Sequence, residues 1–259
     1  MKKEQSKSKI IAKIQDLIER ALNYILLTVS LLFLFVGVYA LVDNHLVVIS
    51  AEIPKGLKES SMSDREYPSI AELKKTNPEI VAWLTIDDTQ VDYPITKNKD
   101  NVKYLTKDYK GEYALAGNPF VDYRNNFLKD DYTVIYGHRM NQKKMFGSLV
   151  QYIDASFMQK HQTGTITTED GTYKLEIVLY SVEDINKTKI YDLVTNRNNS
   201  NPELLKMLAK NATTINGKYA RTELGDGESS KWKLLLLSTC DKDSKHYRDV
   251  ALFRIGDKI

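Results

Sequence analysis

The 259-residue chain contains a single cysteine, Cys240. One thiol forms no internal disulfide and no multi-cysteine metal site, so the fold must rest on its core, and neither metal nor cofactor is expected. A charge surplus is lacking too. The 37 Lys and Arg stand against 34 Asp and Glu, and part of the +3 balance lies in the N-terminal tail. No Lys/Arg run is interleaved with aromatics, so nucleic acid is not an expected partner. Repeats and low-complexity segments are absent as well. With 42% hydrophobic and 27% charged residues, the composition is that of one sizeable globular domain plus extra segments.

Charge disappears altogether between Ala21 and Val42, a run dominated by Leu, Val, Ile and Phe. Its length suits a helix crossing a bilayer, which needs about 20 residues. Six basic residues precede it, against only Glu4, Asp16 and Glu19. A positive flank stays in the cytoplasm, which puts the rest of the chain outside. The rival is a cleaved signal peptide ending near Val38-Tyr39-Ala40. The expected organisation is a cytoplasmic tail over 1–20, a transmembrane anchor over 21–42, an extracellular stalk over 43–68 and a catalytic domain over 69–259.

Ser69 followed by Glu72 is a capping-box pattern, predicting a short helix from Ile70 that stops before Pro78. Beyond it the pattern turns to β. Ile80–Ile86 and Thr89–Tyr93 flank Asp87-Asp88, and Gly117–Tyr123 and Tyr132–Tyr136 read as further strands. Thr165–Thr167 and Tyr173–Val182 flank the hairpin signal Asp170-Gly171, and Trp232–Thr239 and Asp249–Ile255 complete the set. Helical stretches are expected near Phe146–Met158 and after Asn201, a cap with Pro202 at the first helical position. So many strands without βαβ alternation predict a mainly β sandwich or closed barrel.

A reactive cysteine needs a neighbouring base or cation, because the thiolate is the attacking species. Four histidines are available: His45 at the end of the apolar run, His161 in a polar stretch, His246 in the charged loop before Arg248, and His138. His138 has the best setting, since it and Cys240 both follow strands and can meet on one rim although far apart in sequence. An antiparallel return would bring Arg248 back near Cys240. There a permanent cation can hydrogen-bond a peptide carbonyl or an oxyanion. The bland alternative is a buried, inert cysteine in a membrane-tethered binding domain.

These residues resemble a known family. Leu237-Ser238-Thr239-Cys240, followed by Arg248 and Val250, is similar to the Leu-x-Thr-Cys…Arg signature of the sortases. Tyr136-Gly137-His138-Arg139 resembles their histidine motif. Asn77-Pro78, Val81–Ile86, Val91–Ile95, Asp100-Asn101, Tyr104-Leu105 and Gly117–Asp122 resemble, in order, the opening of the class B branch. The helical stretch near Asn201–Asn211 resembles a class B insertion. The resemblance implies a closed antiparallel β-barrel of about eight strands with a few peripheral helices, on the outer face of a Gram-positive membrane.

It also implies a transpeptidase acting as a thiol protease in its first step. Cys240 would attack a threonine carbonyl in the C-terminal sorting signal of a secreted protein. The resulting thioester would pass to an amine of the peptidoglycan cross-bridge or its lipid-linked precursor. His138 would act as acid and base. Arg248 would hold the substrate and the oxyanion, with Ser238 and Thr239 as candidate substrate contacts. Asp241 and Asp243 are equal candidates for the acidic residue often found after the cysteine. A housekeeping or pilus-assembling sortase is the alternative within the family.

Overall fold

A computed structural model describes residues 2–50, 68–196, 202–240 and 246–259. The chain divides into two units, residues 1–46 and residues 47–259. The first is part of one long helix, α1 (Lys2–Ser50). Within it Lys13–Asp43 is a candidate membrane span of 31 residues with no part buried. Phe33 is 74% exposed and Phe35 70%.

From residue 68 onward, the first element of the second unit is α2 (Ile70–Thr76). The expected capping box is present: the Ser69 hydroxyl accepts from the Glu72 amide at 3.2 Å, and Glu72 accepts from the Ser69 amide at 2.8 Å. Ile70 and Leu73 bury the inner face of this helix.

Nine strands follow among the described residues. They are β1 (Ile80–Ile86), β2 (Asp92–Lys97), β3 (Phe120–Val121), β4 (Tyr132–Gly137), β5 (Thr163–Thr168), β6 (Gly171–Asp184), β7 (Thr214–Ile215), β8 (Lys233–Cys240) and β9 (Tyr247–Lys258). The first eight in spatial order are β5-β1-β2-β3-β4-β8-β9-β6, and β6 pairs back onto β5. The result is a closed eight-stranded barrel, with β7 added outside on β6. The barrel is mainly antiparallel as expected, with a difference: β2–β3 and β4–β8 run parallel, which makes it mixed.

Other boundaries shifted. The strand expected over Thr89–Tyr93 starts at Asp92, because Thr89 is spent on the turn, its hydroxyl donating to the Ile86 carbonyl at 2.9 Å. Only Phe120 and Val121 of Gly117–Tyr123 form strand. The stretch Phe146–Met158 is a 3-10 helix over Phe146–Ile153, then α3 (Ala155–Lys160). Asp154 interrupts it by capping α3 through the Ser156 amide at 2.7 Å. Two helices follow β6, α4 (Leu193–Asn196) and α5 (Pro202–Asn211); the expected cap Asn201 lies outside the described residues.

Strand β8 explains its own composition. Leu235 and Leu237 are buried in the barrel interior with Ile135, Ala251 and Phe253. Leu234 and Leu236 are buried on the opposite face, beneath Leu204, Leu205 and Leu208 of α5. A strand covered on both faces reads as a continuous apolar run rather than an alternating one. Each buried leucine contributes roughly 1.5–3 kcal/mol. The strand leading to Cys240 is therefore anchored on both sides.

Candidate active site

The backbone register assembles the sequence candidates at one end of three adjacent strands. On the parallel pair, Gly137 of β4 lies opposite Thr239 of β8. On the antiparallel pair, Thr239 lies opposite Asp249, and Cys240 opposite Arg248 of β9. His138 follows Gly137 directly, so positions 138, 240 and 248 fall in one row across β4, β8 and β9. Neighbouring strands are about 4.8 Å apart, which puts the outer two backbones about 10 Å apart with position 240 between them. Imidazole and guanidinium are long enough to converge over that distance. Residues 138 and 240 are separated by about a hundred positions in the chain, and only barrel closure makes them neighbours.

His138 is partly buried, and its Nε2 lies 2.8 Å from the Leu105 carbonyl oxygen. A carbonyl only accepts, so Nε2 carries the proton and donates it. The neutral ring then has Nδ1 as its basic nitrogen. Leu105 ends a short 3-10 turn, Lys103–Leu105, in the connection between β2 and β3. Gly117 holds that turn in place. Its φ is +60°, and a Cβ there would stand 2.5 Å from the Tyr104 oxygen and 2.8 Å from the Leu105 oxygen.

Gly137 serves a different purpose from the one its position suggests. It does not adopt a positive φ. Instead its missing Cβ leaves room for the Phe146 ring, which a methyl would meet at 2.7 Å. Phe146 is fully buried, and its amide donates to the His138 carbonyl at 3.0 Å. The histidine backbone is thus fixed from beneath by a core aromatic.

The other histidines are placed elsewhere. His161 stacks on Phe157 with ring centroids 4.2 Å apart, and its Nδ1 lies 3.2 Å from Asp88. His246 precedes β9 on the side of β6, accepting from the Ile185 amide through its carbonyl and lying 3.2 Å from the Asn186 amide nitrogen. His45 is exposed on α1. His138 and His246 both adjoin strands paired with β8, but only position 138 falls level with 240 in the register.

Arg248 is partly buried, and its Nη1 donates to the Tyr247 carbonyl at 2.7 Å. Ser238 is 1% exposed, and its Oγ lies 2.7 Å from the Tyr191 hydroxyl. Thr239 is 2% exposed. Both are wall residues in this state. Asp241 and Asp243 lie outside the described residues.

Two polar groupings beside the row join residues of motifs quoted above to partners that no local pattern predicts. The first is Asp122, fully buried, which accepts from Arg124 at 2.8 Å and from the hydroxyl of Tyr136 at 2.9 Å. Burial pushes its carboxyl up, but the bonds from Arg124 outweigh that and hold it below the usual range. Burial, with Asp122 beside it, pushes the Tyr136 phenol well up, so this tyrosine stays a neutral donor. The second joins Arg139, Asp249 and Tyr180: Asp249 is 3% exposed, accepts from Arg139 Nη1 at 2.8 Å, and accepts from the Tyr180 hydroxyl.

Residues 84–253 match the sortase domain. The chain belongs to the sortase family. The sortase B of Listeria monocytogenes serovar 1/2a is 32% identical over 246 residues, covering 90% of this chain and 94% of that one. The sortase B of Staphylococcus aureus is 31% identical over 119 residues, covering 46% and 49%.

Solved structures agree. A Streptococcus pyogenes class B sortase involved in pilus biogenesis superposes with a TM-score of 0.63 at 28% identity, covering 71% of this chain and 96% of that one. A Staphylococcus aureus sortase B–substrate complex gives 0.62 at 25% identity, covering 73% and 85%. This sortase is of the class B type, and its activity is that of a cysteine transpeptidase.

Proposed function

We propose that Cys240 is the nucleophile, His138 the general acid–base, and Arg248 the group that holds the substrate carbonyl and stabilises the oxyanion. What supports this reading is the register row that brings 138, 240 and 248 onto three neighbouring strands. The Cys240 thiolate attacks a threonine carbonyl of a sorting signal, and the carbonyl electrons move onto oxygen beside the Arg248 guanidinium. Collapse of the tetrahedral intermediate breaks the C–N bond. His138, made imidazolium by the proton that left Cys240, returns that proton from Nδ1 to the departing amine, leaving a thioester and a neutral ring. An incoming amine then attacks the thioester, His138 takes its proton, and the thiolate leaves. Charge and protons balance over the cycle.

The acceptor in this reading is an amine of the peptidoglycan cross-bridge or its lipid-linked precursor, and the donor is a secreted protein. Residues 1–20 lie in the cytoplasm, 21–42 anchor the chain in the membrane of a Gram-positive cell, and 69–259 form the extracellular catalytic domain; most of the stalk assigned to 43–68 lies outside the described residues. The uncharged run within the 31-residue candidate span favours an anchor over a shorter cleaved leader. A second reading follows from the likeness to the class B sortase involved in pilus biogenesis. In it the acceptor amine belongs to another surface-protein subunit.

The test is a peptide-library cleavage assay with the purified chain, read by mass spectrometry with and without candidate amines. Cleavage after threonine, an enzyme adduct on Cys240, and loss of both in Cys240→Ala are expected. Cleavage by a folded Cys240→Ala protein at the native rate would sink the assignment. The mass of the transfer product separates the two acceptors.

A further inference from the structure

The part-buried ion pair between Arg139 and Asp249 stands beside the proposed catalytic row without belonging to it. Arg139 immediately follows His138, and Asp249 immediately follows Arg248. Their side chains meet at 2.8 Å although 110 positions separate them. In the register, Gly137, Thr239 and Asp249 form the row directly behind 138, 240 and 248. The Arg139–Asp249 bond therefore joins the exit of β4 to the start of β9 across the end of β8, over a span of about 10 Å that no backbone ladder closes directly.

The pair is on the opposite face from Arg248. Successive strand residues alternate, and Asp249 shares its face with Ala251 and Phe253 of the barrel interior, whereas Arg248 shares its own with Val250 and Leu252. The Tyr180 hydroxyl on β6 donates to the second carboxylate oxygen of Asp249. This ties a fourth strand into the same link. Arg139 is itself braced, since its backbone bridges to Met145 one step before the buried Phe146.

Stability alone is a weak reason for such a pair. Desolvating both charges offsets most of their attraction, and apolar replacements of similar volume are often as stable. What an ion pair adds over apolar packing is a fixed distance and direction. We infer that Arg139 and Asp249 are positioning residues: by clamping β4 to β9 they set the spacing of His138 and Arg248 about Cys240. The clamp acts through the backbone positions on either side of it, and neither side chain takes part in a chemical step. This rests on the assignment of His138, Cys240 and Arg248 made above.

The test uses the full chain in detergent, a cleavable sorting peptide, and Cys240→Ala as reference. Arg139→Ala is expected to lower kcat by about 10²-fold, the loss that a misplacement on the order of 1 Å produces, with KM moved less than about threefold. Arg139→Lys can reproduce a single N–H···O contact, and should recover activity to within about tenfold of native. Asp249→Asn should lower kcat too, and the double variant should be no worse than the poorer single one, because both remove one link.

A folded Arg139→Ala enzyme turning over within threefold of native would overturn the proposal. So would Arg139→Lys performing no better than Arg139→Ala, because a filler of space rather than a directed contact would then be at work. If instead Cys240→Ala stayed active, the catalytic assignment itself would fail, which is a separate outcome.

Discussion

Gly117→Ala tests whether the Leu105 carbonyl orients the proposed catalytic histidine. An alanine at the φ of +60° found there costs about 1–2 kcal/mol from its Cβ alone. Its Cβ would also lie 2.5 Å from the Tyr104 oxygen and 2.8 Å from the Leu105 oxygen. Carbon–oxygen contacts settle at about 3.3–3.6 Å, so the turn must retreat by roughly half an ångström or more.

The Leu105 oxygen accepts from His138 Nε2 at 2.8 Å, and such a retreat breaks that geometry. A hydrogen bond of this kind contributes about 0.5–1.5 kcal/mol, which corresponds to a loss of up to about tenfold in kcat. Gly227→Ala is the control. Its φ is +54°, nearly the same strain, and a Cβ there meets nothing within 4 Å. Both variants should lose stability, by about 2–8 °C in Tm for the control and more for Gly117→Ala. Only Gly117→Ala should slow peptide cleavage. Equal kcat for the two, measured on folded protein, would refute the orienting role of Leu105.

Phe146→Ala should destabilise the catalytic unit by about 3–5 kcal/mol in urea unfolding, since the ring is fully buried and packs against Gly137. Asp122→Asn should cost about 2 kcal/mol at neutral pH through its bonds to Arg124 and Tyr136. The Asp122 pKa is depressed in the folded state, so its stabilisation is complete above the unfolded carboxylate value of about 3.9 and is lost as pH falls through the folded value. The stability gap between native protein and Asp122→Asn should therefore close in acid; a gap constant down to about pH 2 would contradict this. Ser238→Ala should lower stability by about 1 kcal/mol, through the lost contact with Tyr191, and leave kcat and KM within a few-fold. A large rise in KM would instead restore Ser238 as a substrate contact.

Short-range rules carried much of the fold. β1 spans the expected Ile80–Ile86, and α2 begins at the capping box because both halves of that motif lie within four residues. The hairpin signalled by Asp170-Gly171 forms, one position earlier: Glu169 and Asp170 make the loop, and Gly171 pairs with Thr168 at a φ of +136° that suits glycine. The unbroken leucines of β8 were legible as a strand, and α5 begins at Pro202 with its leucines inward. Where local rules failed, competing contacts decided: Asp154 split one expected helix by capping its second half, and Thr89 was drawn into a turn.

The single thiol, the apolar N-terminal segment, the strand periodicity and the motif around Cys240 are written locally in the chain. Each depends on residue type or on neighbours a few positions away. Long-range packing sets β4 parallel to β8, brings residues 138 and 248 to either side of 240, and carries Leu105 to the His138 ring. The Arg139–Asp249 link belongs to the same class. These contacts join residues some tens to a hundred positions apart. Their partners are chosen by closure of the barrel, which no local pattern encodes.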